Sequence, residues 1–180
     1  VDNKDVWLIK TDAYGIEEWN KTFGGDGEEM GHEVQQTSDG GYVIGAYTQS
    51  FGNGTSFWLI KTDSNGNEEW NKIFDNGSGH EYAESVKQTT DGGYIIAGRT
   101  TSTGSTDIWI VKTDSDGNEE WNQTFGGGSP DIADDIQQTA DGGYIIAGLT
   151  KSFGAGGDDQ NCWLIKTDAN GDSLWTKTFG

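Results

Sequence analysis

The chain repeats itself, and this limits its fold more than any other feature. Trp7-Leu-Ile-Lys-Thr-Asp12 returns as Trp58-Leu-Ile-Lys-Thr-Asp63, Trp109-Ile-Val-Lys-Thr-Asp114 and Trp163-Leu-Ile-Lys-Thr-Asp168, with starts 51, 51 and 54 residues apart. A second tryptophan follows each start by twelve residues, at Trp19, Trp70, Trp121 and Trp175. Between these units lie Asp-Gly-Gly-Tyr segments beginning at Asp39, Asp91 and Asp141. A period near fifty matches propeller blades and exceeds that of leucine-rich or hexapeptide repeats.

Each unit reads as two hairpins. One pairs Val34–Thr37 with Tyr42–Tyr47 through Ser-Asp-Gly-Gly, whose glycines allow a positive φ. The other pairs Trp58–Thr62 with the strand from Glu68 through Asp63-Ser-Asn-Gly66, with Asp and Gly where a type I turn prefers them. Stretches such as Tyr94–Gly98 and Ile108–Val111 are apolar at consecutive positions, so both of their faces need cover. The Gln-Gln-Thr strands and the Glu-Glu-Trp-Asn strands are more polar, as expected for the inner and outer strands of a blade. Helix-period patterning is absent. The expected fold is all-β, a β-propeller of four-stranded antiparallel blades.

Trp-to-Trp pairs occur four times and Asp-Gly-Gly pairs three, so the chain is expected to carry about 3.5 blades in one repeat domain spanning 1–180. The half-blade is placed at 5–25 and the blades at 33–75, 84–126 and 134–180. Such an arc leaves sheet faces and strand edges open, which predicts closure by other copies of the chain or by further repeats of a longer one. A start at Val1 is read as that of a processed or excised piece.

The string Trp58-Leu-Ile-Lys-Thr-Asp63-Ser-Asn-Gly66-Asn-Glu-Glu-Trp70 resembles the tryptophan-docking repeats of pyrroloquinoline-quinone-type β-propellers. With Asp-Gly-Gly-Tyr-Ile-Ile-Ala-Gly included, the pattern is similar to tandem repeats of secreted and surface proteins of archaea and bacteria. The resemblance covers nearly the whole chain. It implies a propeller, export and a non-enzymatic role. It does not imply the quinone, whose ligands lie outside the repeat.

Thirty acidic residues against eleven basic ones give a formal charge of −19. Such a surface repels phosphate backbones and anionic membranes, so nucleic acid is excluded as an expected partner. No apolar stretch is long enough to suggest membrane insertion. Cys162 is the single cysteine, which rules out an internal disulfide. It stands where Val6, Phe57 and Ile108 stand in the other units and is expected to be a small core residue.

Candidate sites follow from the same alignment of units. The eight tryptophans Trp7, Trp19, Trp58, Trp70, Trp109, Trp121, Trp163 and Trp175 sit at fixed repeat positions, so docking and core packing outweigh ligand stacking. Asp114, Asp116 and Asn118 place oxygen side chains at alternate positions, which makes calcium the one metal considered. No bidentate Glu follows as in an EF-hand, and a hairpin turn, the favoured account, explains the set without a metal. Asp131, Asp134 and Asp135, and Asp158 with Asp159, are weaker acidic groupings. Gln36, Gln88 and Gln138 recur on the presumed channel-lining strand as candidate contacts for a small polar ligand. Sequons at Asn20, Asn53, Asn76 and Asn122 make a glycoprotein an expectation. His32 and His80 both precede Glu in the segments entering a blade, and no hydrolase motif accompanies them.

The function expected is a non-catalytic extracellular or cell-surface module for binding or adhesion, with a carbohydrate or protein ligand met by the variable loops Thr48–Ser56, Thr100–Asp107 and Thr150–Asn161. The alternative is a structural subunit of a ring, filament or surface layer joined through open blade ends. Neither reading calls for a cofactor.

Overall fold

The computed structural model describes residues 4–154 and 160–180, and these contain fourteen strands and no helix. β1 (Val6–Thr11) and β2 (Glu17–Phe23) form a two-stranded sheet. Three four-stranded antiparallel sheets follow in chain order. The first holds β3 (Glu29–Gln36), β4 (Tyr42–Thr48), β5 (Ser56–Thr62) and β6 (Glu68–Phe74). The second holds β7 (Glu81–Gln88), β8 (Tyr94–Thr100), β9 (Asp107–Thr113) and β10 (Glu119–Phe125). The third holds β11 (Asp131–Gln138), β12 (Tyr144–Thr150), β13 (Asn161–Thr167) and β14 (Ser173–Phe179). β1 and β2 correspond to the two outer strands of a complete sheet. Within each sheet every strand pairs with its neighbours in sequence, so the turns alone fix the order of strands in a sheet.

Those turns are closed by aspartate. The Asp63 carboxylate accepts the backbone N–H groups of Asn65 at 2.8 Å and Asn67 at 2.9 Å, and Asp12, Asp114 and Asp168 do the same in their units. In the inner hairpins Asp39 accepts from the Thr37 hydroxyl at 2.5 Å and the Gly41 N–H at 2.9 Å. Asx closure of this kind holds the strands in register whatever packs on them later.

The first strand of each sheet starts earlier than the hydrophobic pattern suggests. β3 begins at Glu29, five residues before Val34, and a register shift between Gly31 and Glu33 interrupts its alternation. The same bulge recurs between Ala83 and Ser85 and between Ala133 and Asp135. A bulge flips the pleat, so an alternation count breaks where the backbone pairing continues. His32 accordingly lies within β3, whereas His80 precedes β7.

The sheets stack face on face. β7 crosses β3, β4 and β5, and β11 crosses β7, β8 and β9. This explains why β5 and β9 are buried along their whole length, as their unbroken apolar runs require. Between the first and second sheets pack Val43, Leu59, Val86, Tyr94 and Trp109, and between the second and third pack Ile95, Ile110, Ile136, Tyr144 and Trp163. The stack does not close into a ring. Cys162 corrects the sequence expectation, because it is exposed where Phe57 and Ile108 are fully buried. Its strand belongs to the last sheet, which has no further sheet stacked on its outer side among the described residues.

Candidate functional site

Two kinds of site emerge, a repeated seam between sheets and one cluster that breaks the repeat. In the seam, Trp19, Trp70 and Trp121 each meet a tyrosine of the following sheet edge-on: Tyr42 at 5.8 Å, Tyr94 at 5.6 Å and Tyr144 at 5.7 Å between ring centroids. Each indole also lies on the turn glycine of the next outer hairpin. A Cβ on Gly66, Gly117 or Gly171 would come within 2.6 to 2.7 Å of the ring, and all three glycines have φ between +74° and +83°. The residue two beyond each tryptophan adds a polar tie across the seam: Lys21 to Asn67 at 2.9 Å, Lys72 to Asn118 at 3.0 Å and Gln123 to Asp172 at 3.3 Å.

Behind each seam lies a lysine, buried at Lys61 and Lys112 and partly buried at Lys166. Lys61 Nζ sits 2.9 Å from Asp39, 2.7 Å from Glu69 and 2.9 Å from the Thr62 carbonyl, which uses all three of its N–H groups. Lys112 repeats this with Asp91, Glu120 and the Thr113 carbonyl, and Lys166 with Asp141 and the Thr167 carbonyl. Hydrogen bonding from the Thr37 hydroxyl, then Lys61, holds Asp39 down to about 2. Burial raises Asp91, but Thr89 and Lys112 outweigh it and bring that group to about 2 as well. Thr139 and Lys166 do the same for Asp141, again to about 2. At the opposite end of the sheets, buried carboxylates of Glu29, Glu81 and Asp131 accept from Thr48, Thr100 and Thr150 and anchor the connecting loops. Sequence reasoning missed these anchors, since an acid at a strand start resembles any surface acid.

The candidate residues divide accordingly. Trp58, Trp109 and Trp163 are buried and Trp19, Trp70 and Trp121 are docked, whereas Trp7 (62% exposed) and Trp175 (43% exposed) lie at the two ends of the stack. Asp114 spends one carboxylate oxygen on the amides of Asp116 and Asn118 and the other on the Asn118 side chain at 2.9 Å. No group of three or more His, Cys, Asp or Glu residues suited to a metal occurs among the described residues. Asp131 is a buried loop anchor, and Asp135 pairs with Lys87 at 3.1 Å, so that acidic grouping is divided. Asp158 and Asp159 lie outside the described residues.

The Gln88 side chain accepts from the Ser38 N–H at 2.8 Å and that of Gln138 from the Thr90 N–H at 2.9 Å, tying adjacent sheets together. Gln36 reaches its own turn at the Gly40 carbonyl. Asn20 and Asn122 accept from the indoles of Trp7 and Trp109 and donate to Glu17 and Glu119, so these two sequons double as braces of the outer hairpin. Asn53 and Asn76 lie in connecting segments between strands.

The cluster that breaks the repeat lies at the loop-bearing end of the first and second sheets. The cross-strand pair Met30–Tyr47 of the first sheet is replaced by Tyr82–Arg99 in the second and Ile132–Leu149 in the third. Arg99, the sole arginine of the chain, stacks 4.5 Å above the Tyr82 ring and pairs with Glu84 at 3.1 Å. Glu84 also meets His32 Nδ1 at 2.9 Å, and Tyr82 packs edge-on to Tyr47 at 5.2 Å. Burial, with the Glu84 charge beside it, raises Asp134 above the usual carboxylate range. Cation, carboxylates, imidazole and two phenols thus meet at one place, and the ion pairs of Lys87 with Glu33 and Asp135 form a second group without a repeat counterpart. No protein-family model matches the chain, and no curated protein matches it.

Proposed function

We propose that the chain forms part of a β-propeller that serves as a non-catalytic binding or adhesion module at the cell surface or outside the cell. Its ligand, a carbohydrate or a protein, is taken at the loop-bearing end around Tyr82 and Arg99. The observation that carries this reading is the break in symmetry. The packing, the seams and the hubs of Lys61, Lys112 and Lys166 are repeated from sheet to sheet, while the Tyr47–Tyr82–Arg99–Glu84 cluster, with its aromatic and arginine side chains, occurs once. Specificity needs an asymmetric surface, and aromatic and arginine side chains are the usual anchors of one. Stacked four-stranded sheets, each with its first strand laid across the sheet before it, agree with blades arranged about an axis. The test is a glycan array, and a panel of extracellular-matrix proteins, probed with the intact chain and with Arg99→Ala and Tyr82→Ala variants of unchanged melting temperature. Retention lost in both variants supports the reading. Retention unaffected by either removes the site, and no retention on any surface removes the function.

The exposed ends of the stack favour a second reading, a structural subunit. Trp7, Ile9 and Val34 lie open at one end and Leu174, Trp175 and Phe179 at the other. Copies of this chain do not sum their half-blades into a blade, because each contributes the same outer pair, β1–β2. A ladder of species in light scattering that grows with concentration supports assembly of copies, and a monomer at every concentration removes it.

A further inference from the structure

In each complete sheet the inner edge of the third strand is taken: β4 lies on β5, β8 on β9 and β12 on β13. β1 is the counterpart of those third strands. It pairs with β2 on its outer side and has no strand on its inner edge among the described residues. Three features around that edge specify what fits it.

The first is register. β5 presents Ser56–Thr62 to Thr48–Tyr42 without a shift, and β1 offers the same ladder through the corresponding Asp5–Thr11. The second is charge. Lys61, Lys112 and Lys166 each reach the aspartate of an inner Asp-Gly-Gly turn at 2.9 to 3.0 Å. Lys10 stands at the same position and pairs with Glu18 of β2, with no inner-turn aspartate beside it among the described residues. The third is the apolar face. Val86 and Ile136 are fully buried beneath the second strand of the preceding sheet, Val86 directly over Gly45, whereas their counterpart Val34 is 50% exposed. Val34 lines a cleft of about 120 Å³ with Val6, Trp7, Leu8, Gly31 and Ile44.

We propose that the β1 edge is an acceptor for one further antiparallel hairpin of the inner type found in this repeat. The hairpin carries Gln-Thr-x-Asp-Gly-Gly-Tyr at its turn. Its second strand runs along β1, its turn aspartate pairs with Lys10, its apolar side chains cover Val34, and the small residue matching Ala46 and Gly98 stands opposite Trp7. This is strand addition with a charge check on the register. The three inner hairpins of this chain already pair with β5, β9 and β13, so the occupant is an additional hairpin and not one of them. The inference rests on the reading of the chain as part of a propeller and is separable from the assembly of copies. Light scattering on the chain alone reports association of copies, whereas the titration below reports the edge.

A synthetic peptide of sequence Glu81–Thr100 is titrated into the full chain, followed by tryptophan fluorescence, with a Trp7→Phe chain to assign the signal. The expected result is saturable one-to-one binding with a blue shift that disappears in Trp7→Phe. The Asp91→Asn peptide, or the Lys10→Met chain, binds about tenfold more weakly, and the two changes together cost no more than either alone. A peptide that shows no saturable binding, or one indifferent to both changes, overturns the charge-keyed edge. Because a free peptide can fail to hold a hairpin, the same segment is also joined ahead of Asp5 through the Thr101–Thr106 connection. A raised melting temperature with Trp7 emission shifted to the blue supports the proposal. An unchanged melting temperature and unchanged Trp7 emission overturn it.

Discussion

Among single residues, the turn glycines separate backbone freedom from packing. Gly117 has φ +75° and a docked indole 2.7 Å from where its Cβ would stand, while Gly15 has φ +79° and open space around it. Replacing either with alanine costs about 1–2 kcal/mol for the left-handed backbone. Gly117→Ala adds about 1–3 kcal/mol for displacing Trp70. Urea denaturation of the two variants should therefore show a larger loss for Gly117→Ala, and equal losses would contradict the docking geometry. A second residue-scale prediction concerns Trp163. The indoles of Trp7, Trp58 and Trp109 donate to Asn20, Asn71 and Asn122, but the matching residue on β14 is Thr176, and Trp163 Nε1 is buried without a partner among the described residues. Thr176→Asn should supply the missing acceptor and raise stability by about 0.5–1.5 kcal/mol, measured by the same denaturation.

At the level of the hairpin, acid is the natural probe. Asp39, Asp91 and Asp141 have folded pKa values of about 2 against an ordinary 3.8. A carboxyl whose pKa is lowered by folding contributes its full stabilisation above its unfolded pKa and loses it as pH falls through the folded one. The melting temperature should therefore drop as pH goes from about 4 to about 2. Asp91→Asn should melt lower at neutral pH and lose less across that window. Parallel acid profiles would show that the lysine hubs contribute nothing to the acid limit. The hairpins themselves were legible in the sequence, since Asp-Gly-Gly and Asp-x-x-Gly write their turns in local chemistry. The starts of β3, β7 and β11 were not, because the bulges at His32, Glu84 and Asp134 shift the pleat without leaving a pattern.

Over the whole molecule, stability should be graded along the stack. β8 and β9 are covered on both faces, whereas β1–β2 and β14 carry exposed apolar side chains at the ends. Native-state hydrogen exchange should find the slowest amides in β8 and β9 and the fastest strand amides on the inner edge of β1 and in β14. Uniform protection across the fourteen strands would mean that the ends are covered in solution.

The repeat, the strand pairs and the seam tryptophans follow from sequence because each depends on residues a few positions apart or on a fixed period. The candidate site does not. Tyr47, Tyr82, Arg99, Glu84 and His32 come from different units, and nothing in their spacing announces that two bulged strands bring them together. The exposure of Cys162, Trp7 and Val34 was equally hidden. Their counterparts in the other units are buried, and only the stacking of sheets shows which copy of a repeated residue has a neighbour and which stands at an end. A repeat dictates what each unit can bind on its two faces, and the tertiary structure determines whether that face is filled.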